Sequence, residues 1–147
     1  MRYLKHIFNK IIRKFFAKLE AKQDAILMMN GYLCVQYILA NNNIEKLSDA
    51  EFKVYSQWGE DGIIAFLISK ISVPNQIFIE FGVENYTESN TRFLLKYFNW
   101  NGLVIDSSKK NIDYINNDEI MWKYGITAIQ AFINRDNINI RIKQIKK

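Results

Sequence analysis

The sequence predicts an α/β protein, with part of a doubly wound parallel sheet preceded by an N-terminal helical region. Three observations carry that expectation. Short β-branched and aromatic runs alternate with helical periodicity from Gln76 onward. The connections between them are short, which implies parallel strands joined by right-handed crossovers. Ahead of them, apolar pairs recur every four positions over the first 40 residues. A chain of 147 residues, 49% hydrophobic and 24% charged, is long enough to bury one core and too apolar for extended disorder.

The pairs Tyr3/Leu4, Ile7/Phe8, Ile11/Ile12 and Phe15/Phe16, followed by Leu19, place a helix at the N-terminus. A step of four residues advances ~400°, so a stripe built on such pairs drifts by roughly 40° per step. The same segment carries Arg2, Lys5, Lys10, Arg13, Lys14 and Lys18, with no acidic residue before Glu20. The formal net charge of +5 therefore belongs to this arm, and the remainder of the chain is close to neutral. A basic excess confined to an arm argues against a nucleic-acid partner. Three alternatives are expected for the arm: a packing helix with a solvated basic face, a seam for self-association or a second polypeptide, or a membrane-surface contact, the last not favoured.

Ala25 to Ala40 is apolar but interrupted by Asn30, Gly31 and Gln36, and it falls short of the ~20 residues of a membrane span. No small-residue cleavage pattern follows it, so it reads as a buried or amphipathic helix stopped by Asn41-Asn42-Asn43. The organisation expected is a basic amphipathic arm over 1–46 and an α/β domain over 47–147.

In that second part, Ser48 and Glu51 have the spacing of a capping box. Gly62 to Ile71 reads as a helix stopped by Pro74. Ile77 to Phe81 is a buried strand ended by Gly82, and Ser89 to Phe98 a helix. Trp100-Asn101-Gly102 turns the chain into a second strand, Leu103 to Ile105, which ends at Asp106. A helix over Lys109 to Asn117, a third strand over Ile126 to Ile133 and a last helix over Asp136 to Lys147 complete the series.

Composition removes several chemistries. Cys34 is the single cysteine, so no internal disulfide and no cysteine-based zinc site is expected. His6 is the single histidine and lies in the basic arm, which disfavours a His-dependent hydrolase. No metal site is expected.

Ligands of open parallel sheets bind at the carboxyl ends of the strands, beside the reversal of strand order. Glu80 and Asp106 stand at two such ends, 26 positions apart, about one strand–helix–strand crossover. An acid at the end of the second strand suits the two hydroxyls of a ribose, and Gly82 lets a ligand approach the backbone without a Cβ in the way. The loop Gly82-Val83-Glu84-Asn85-Tyr86-Thr87-Glu88 is not G-x-G-x-x-G, and its acids would repel a pyrophosphate. A nucleoside carrying a positive sulfonium fits it better than a dinucleotide. A P-loop is absent too.

The stretch IFIEFGVENYTESNTRFLLKYFNWNGLVIDSS, with YSQWGEDGII upstream, resembles the N-terminal half of FkbM-like class I S-adenosylmethionine-dependent methyltransferases over roughly Tyr55 to Asn139. The resemblance implies a Rossmann-like sheet, S-adenosylmethionine as cofactor, a sugar or glycan-linked small molecule as methyl acceptor, and a cytoplasmic, bacterial setting. It places Glu80 and Gly82 at the methionine moiety, with Val83 and Glu84 in the same loop, Asp106 at the ribose and Ser107 beside the adenine. Gln57, Gly59, Glu60 and Asp61 match the motif bordering the pocket, and Asn90 the asparagine that opens the first helix. Glu84 and Tyr86 depart from the family by standing where glycines are common. The family continues with further strands that carry the acceptor site, so the resemblance implies a truncated domain. Glu84, Glu88 and Asp61 are candidates for a catalytic base by location alone. The competing expectation is a non-catalytic fragment or interaction subunit that retains part of the fold.

Overall fold

A computed structural model describes residues 2–41 and 43–138. The chain runs α1 (Arg2–Ala40), a 3-10 turn (Leu47–Ala50), α2 (Glu60–Lys70), β1 (Ile77–Phe81), α3 (Arg92–Lys96), β2 (Asn101–Asp106), α4 (Lys109–Asn116), α5 (Ile120–Lys123) and β3 (Ile126–Gln130). The protein is thus mixed α/β around a three-stranded sheet of order β1-β2-β3. Both pairings are parallel, with Glu80 level with Val104, and Asp106 with Gln130. Strand order does not reverse among the described residues, so the expected doubly wound reversal is not seen there.

Side chains alternate across a strand, so each strand offers one set to each face. Phe78, Val104 and Ile126 point into a core completed by Leu94 and Leu95 of α3, Ile112 and Ile115 of α4 and Ile120 of α5. The opposite set is covered unevenly. Leu103 and Ile105 of the central strand are buried, whereas Ile77 and Phe81 on β1 are 46% and 44% exposed.

The second core lies between α1 and the body, where Val35 meets Val54, Tyr55, Ala65 and Phe93. A Cβ on Gly31 would fall 2.7 Å from Val54 and 2.8 Å from Phe93, so the helix docks through a glycine because the two surfaces touch there. Asp24 fastens the same face by accepting from Tyr55 Oη at 2.5 Å and pairing with Lys96 at 2.6 Å. From Lys5 to Gln23 every residue except Ile12 is exposed. No helix among the described residues is long and apolar enough to cross a membrane.

Several boundaries differ from expectation, each for a local reason. The box of Ser48 and Glu51 does not form; the turn begins at Lys46, whose N–H donates to Asp49 Oδ2 at 3.2 Å. Helix α2 starts two residues early, at Glu60, behind a left-handed Gly59. Helix α3 is five residues long instead of ten, because Ser89 and Thr91 are engaged with Glu80 and because Asn99 turns left-handed at φ 55°. Strand β3 stops at Gln130, and the short α5 has no counterpart in the periodicity. The helix expected over Asp136 to Lys147 falls largely outside the described residues.

Candidate functional site

The loop leaving β1 sets the geometry of the sheet's carboxyl end. Gly82 N–H still donates across to Ile105 O at 2.8 Å, and then the backbone turns left-handed at Gly82 (φ 68°), Glu84 (φ 50°) and Tyr86 (φ 62°). Left-handed conformation costs an L-residue roughly 1–2 kcal/mol, so two non-glycine residues in it mark a loop held by its surroundings. The holding contacts are visible. Glu84 N–H donates to Asp106 Oδ2 at 3.0 Å, and Arg92 Nη1 donates to Tyr86 O at 2.9 Å. Arg92 also pairs with Asp118 at 3.5 Å and is itself buried. The Tyr86 ring is fully buried and its hydroxyl lies 3.1 Å from Thr91 Oγ1. Burial pushes that hydroxyl's pKa up, which keeps it neutral. Its bulk therefore points into the core and leaves the loop's outer side clear. At Gly82 a Cβ would meet nothing within 4 Å, so this glycine answers to its φ and leaves open space beside the backbone.

The two strand-end carboxylates lie on neighbouring strands at the same end of the sheet, and the chain already uses most of their capacity. Glu80 Oε2 accepts from Ser89 Oγ, Thr91 N–H and Thr91 Oγ1, while Oε1 accepts from Asn90 N–H at 3.1 Å. Asp106 Oδ1 accepts from Ser108 N–H at 2.8 Å and Asn111 Nδ2 at 3.0 Å, while Oδ2 takes the Glu84 N–H. A carboxylate offers about four acceptor positions, two per oxygen. One position thus stays open on Glu80 Oε1 and one on Asp106 Oδ2. Asp106 keeps a single acceptor position beyond those filled by its own chain.

Two clefts flank Gly82. The first, of about 240 Å³, is lined by Gln57, Glu80, Gly82, Val83, Glu84 and Asn90, with Asn85, Thr87, Glu88 and Ser89. The second, of about 220 Å³, is lined by Phe81, Gly82, Ile105, Asp106 and Ser107, with Ala131, Phe132 and Ile133. The structure thus brings seven of the sequence-predicted residues to one cleft or the other besides Gly82, which walls both. Glu80, Glu84 and Glu88 make the first cleft acidic; of these Glu88 is partly offset by Lys53 at 3.3 Å.

Gly59, Glu60 and Asp61 line neither cleft. Gly59 caps α2. The Glu60 carboxylate accepts from Trp58 N–H at 2.8 Å, and backbone N–H groups of Glu60 and Trp58 hold its carboxyl below the usual range. Asp61 is buried, and its Oδ2 accepts from Val54, Tyr55 and Ser56 N–H at 2.7, 2.7 and 2.9 Å. It ties the loop ahead of α2, which removes it as a base; Glu84 and Glu88 remain at the first cleft. Asn90 opens no helix, since α3 begins at Arg92, and it reaches the cleft from the turn that Glu80 holds.

Sequence reasoning missed Ser89, Thr91 and Asn111, which fix the carboxylates, and Phe132, 75% exposed beside Asp106 and Ser107. Hydroxyl residues nine and eleven positions after a strand-end acid were the available signal for the first two. Among the described residues no group of three or more His, Cys, Asp or Glu could hold a metal ion. No family model matches the chain, and no curated protein or solved structure matches it either.

Proposed function

We propose that the carboxyl end of this sheet is an S-adenosylmethionine site, in a cytoplasmic methyltransferase acting on a sugar or glycan-linked small molecule. The observation that supports it most is Gly82, a bare backbone corner shared by two clefts, each with a strand-end carboxylate that keeps one acceptor position. Each cleft is smaller than the ~300 Å³ at which pockets for drug-sized ligands begin, so a nucleoside-sized ligand has to span both across Gly82. The acidic first cleft suits the ammonium and sulfonium of the methionine end. The open position on Asp106 Oδ2 suits one ribose hydroxyl, and Phe132 offers an aromatic face for the base. The cofactor's part would be to supply the methyl group; the chain's part would be to orient it, with Glu84 or Glu88 the groups at hand to take a proton from the acceptor. In the Rossmann-like arrangement that goes with this reading, the reversal comes from a strand added at the free edge of β1, next to the Gly82 loop.

Isothermal titration of the folded chain with S-adenosylmethionine and S-adenosylhomocysteine tests it. Binding of both is expected, with at least about fivefold loss in Phe132→Ala and no heat from NAD. Absence of heat with either sulfur nucleoside discards the site. A second reading, a non-catalytic module that keeps part of the fold, is favoured by the extent to which Glu80 and Asp106 are occupied by the chain's own donors. Binding without methyl transfer to any sugar acceptor would select it.

A further inference from the structure

The outward side of α1 has a pattern that the docked side does not share. Phe8, Ile11, Phe15 and Leu19 are between 42% and 66% exposed. Ile26, Met29, Leu33 and Tyr37 continue the series at 58–62%. At ~100° per residue these eight side chains stay within an arc of about 80° along the helix, interrupted once by Lys22 between Leu19 and Ile26. The docked residues Asp24, Gly31, Val35 and Ile38 cluster on the opposite side of the same wheel, so the body stands behind the stripe as far as Met29; beyond it Leu33 and Tyr37 also border a cleft with Asp49, Ala50, Glu51 and Phe52. A heptad pattern would have drifted by ~20° per repeat and driven a left-handed supercoil. A stripe that keeps its azimuth instead fits a flat apolar boundary.

The charge selects the kind of boundary. Lys5, Lys10, Arg13, Lys14, Lys18 and Lys22 face Glu20 alone over the undocked half, and all are exposed. Lys14 and Lys18 border the stripe on one side and Lys5 on the other, where their stems can follow the apolar surface while the ammonium groups stay in water. A second copy of α1 brings Glu20 as its one free acid against six cations, since Asp24 is already paired with Lys96. An anionic lipid surface supplies both the apolar layer and the counter-charge. We propose that α1 lies in the interface of an anionic membrane, apolar stripe down, and carries the α/β body on its water-facing side. This stands apart from the assignment of the cofactor site.

Vesicle flotation of the full chain tests it, with phosphatidylcholine alone and with about 30% phosphatidylglycerol added. The chain is expected to float with the anionic vesicles and to lose about tenfold in partitioning with Lys14→Glu/Lys18→Glu or in ~0.5 M salt. Phe15→Glu/Leu33→Glu, both on the exposed stripe, should abolish flotation while leaving the melting midpoint unchanged. Equal recovery on neutral and anionic vesicles, or none on either, overturns the proposal. Light scattering that shows a dimer dispersed by Phe15→Glu/Leu33→Glu, with no flotation, would make the stripe a self-association seam instead.

Discussion

The loops around the sheet's carboxyl end and the outward face of α1 lie in one chain and solve opposite problems. In the loops, Asp61, Glu80 and Asp106 gather backbone N–H groups and side-chain donors from residues up to 22 positions away. Along the outward side of α1, Phe8, Ile11, Phe15, Leu19, Ile26 and Met29 stay exposed instead. A polar group left unpaired in the interior is costly, so a fold that buries carboxylates satisfies most of their acceptor positions internally, Asp61 Oδ1 being left without a partner. Apolar surface left in water carries a smaller and more diffuse cost, which a partner can relieve later. The contrast locates function in two forms: in the few acceptor positions the loops leave over, and in the surface the helix leaves uncovered.

The sharpest way to break the contrast is to remove one carboxylate and one stripe residue and compare. Asp61→Ala leaves the N–H groups of Val54, Tyr55 and Ser56 without their acceptor in a buried loop. A loss of about 4 kcal/mol is expected in urea denaturation. Phe15→Ala, at 66% exposure, is expected within about 0.5 kcal/mol of the parent chain. Equal losses would mean that the arm is docked in solution and that the two regions do not differ.

Legibility in the sequence follows the same division. Strand β1 is bounded as the β-branched and aromatic run Ile77 to Phe81 suggests, but it is not the buried strand that run implied, since only Phe78 is buried and Ile77 and Phe81 lie at the sheet's edge. The positions of Glu80 and Asp106 at adjacent strand ends follow from strand order and spacing. What their lone pairs hold does not, since Ser89, Thr91 and Asn111 become partners only through the tertiary turn. That turn also costs α3 its first three expected residues, and propensity alone would have kept them helical. The stripe on α1 was visible as apolar pairs, but which member of each pair faces outward depends on where Gly31 and Val35 dock.

Asp24 joins the two regions, and its titration gives an intermediate effect. Burial alone would raise its carboxyl, but hydrogen bonds from Lys96 and Tyr55 and the charges of Lys96 and Arg92 outweigh that and hold it below the usual range. A carboxyl lowered in the folded state contributes stability above its unfolded value of ~3.9, and loses it as pH falls through the lower folded value. Asp24→Asn should cost about 1–2 kcal/mol at pH 7, discounted because the Asp24 side chain is 40% exposed. Melting curves of both chains should converge once the pH falls below the lowered folded value of Asp24. A gap that persists there would assign the contribution to packing, not charge.

The smallest effect expected concerns Glu84, where the loop's conformation and its chemistry can be separated. Its φ of 50° is one that glycine adopts without a steric penalty. Glu84→Gly removes roughly 1 kcal/mol of left-handed strain and adds a similar entropy to the unfolded chain. The Glu84 N–H, which reaches Asp106, survives the change, and the side chain it removes is exposed. Thermal stability should therefore move by less than about 1 kcal/mol, toward greater stability. Affinity for S-adenosylmethionine should fall, because the first cleft loses one of its three carboxylates. Stability lost by more than that, with affinity kept, would make Glu84 a structural residue of the loop and leave Glu80 and Glu88 as the acids that face the ligand.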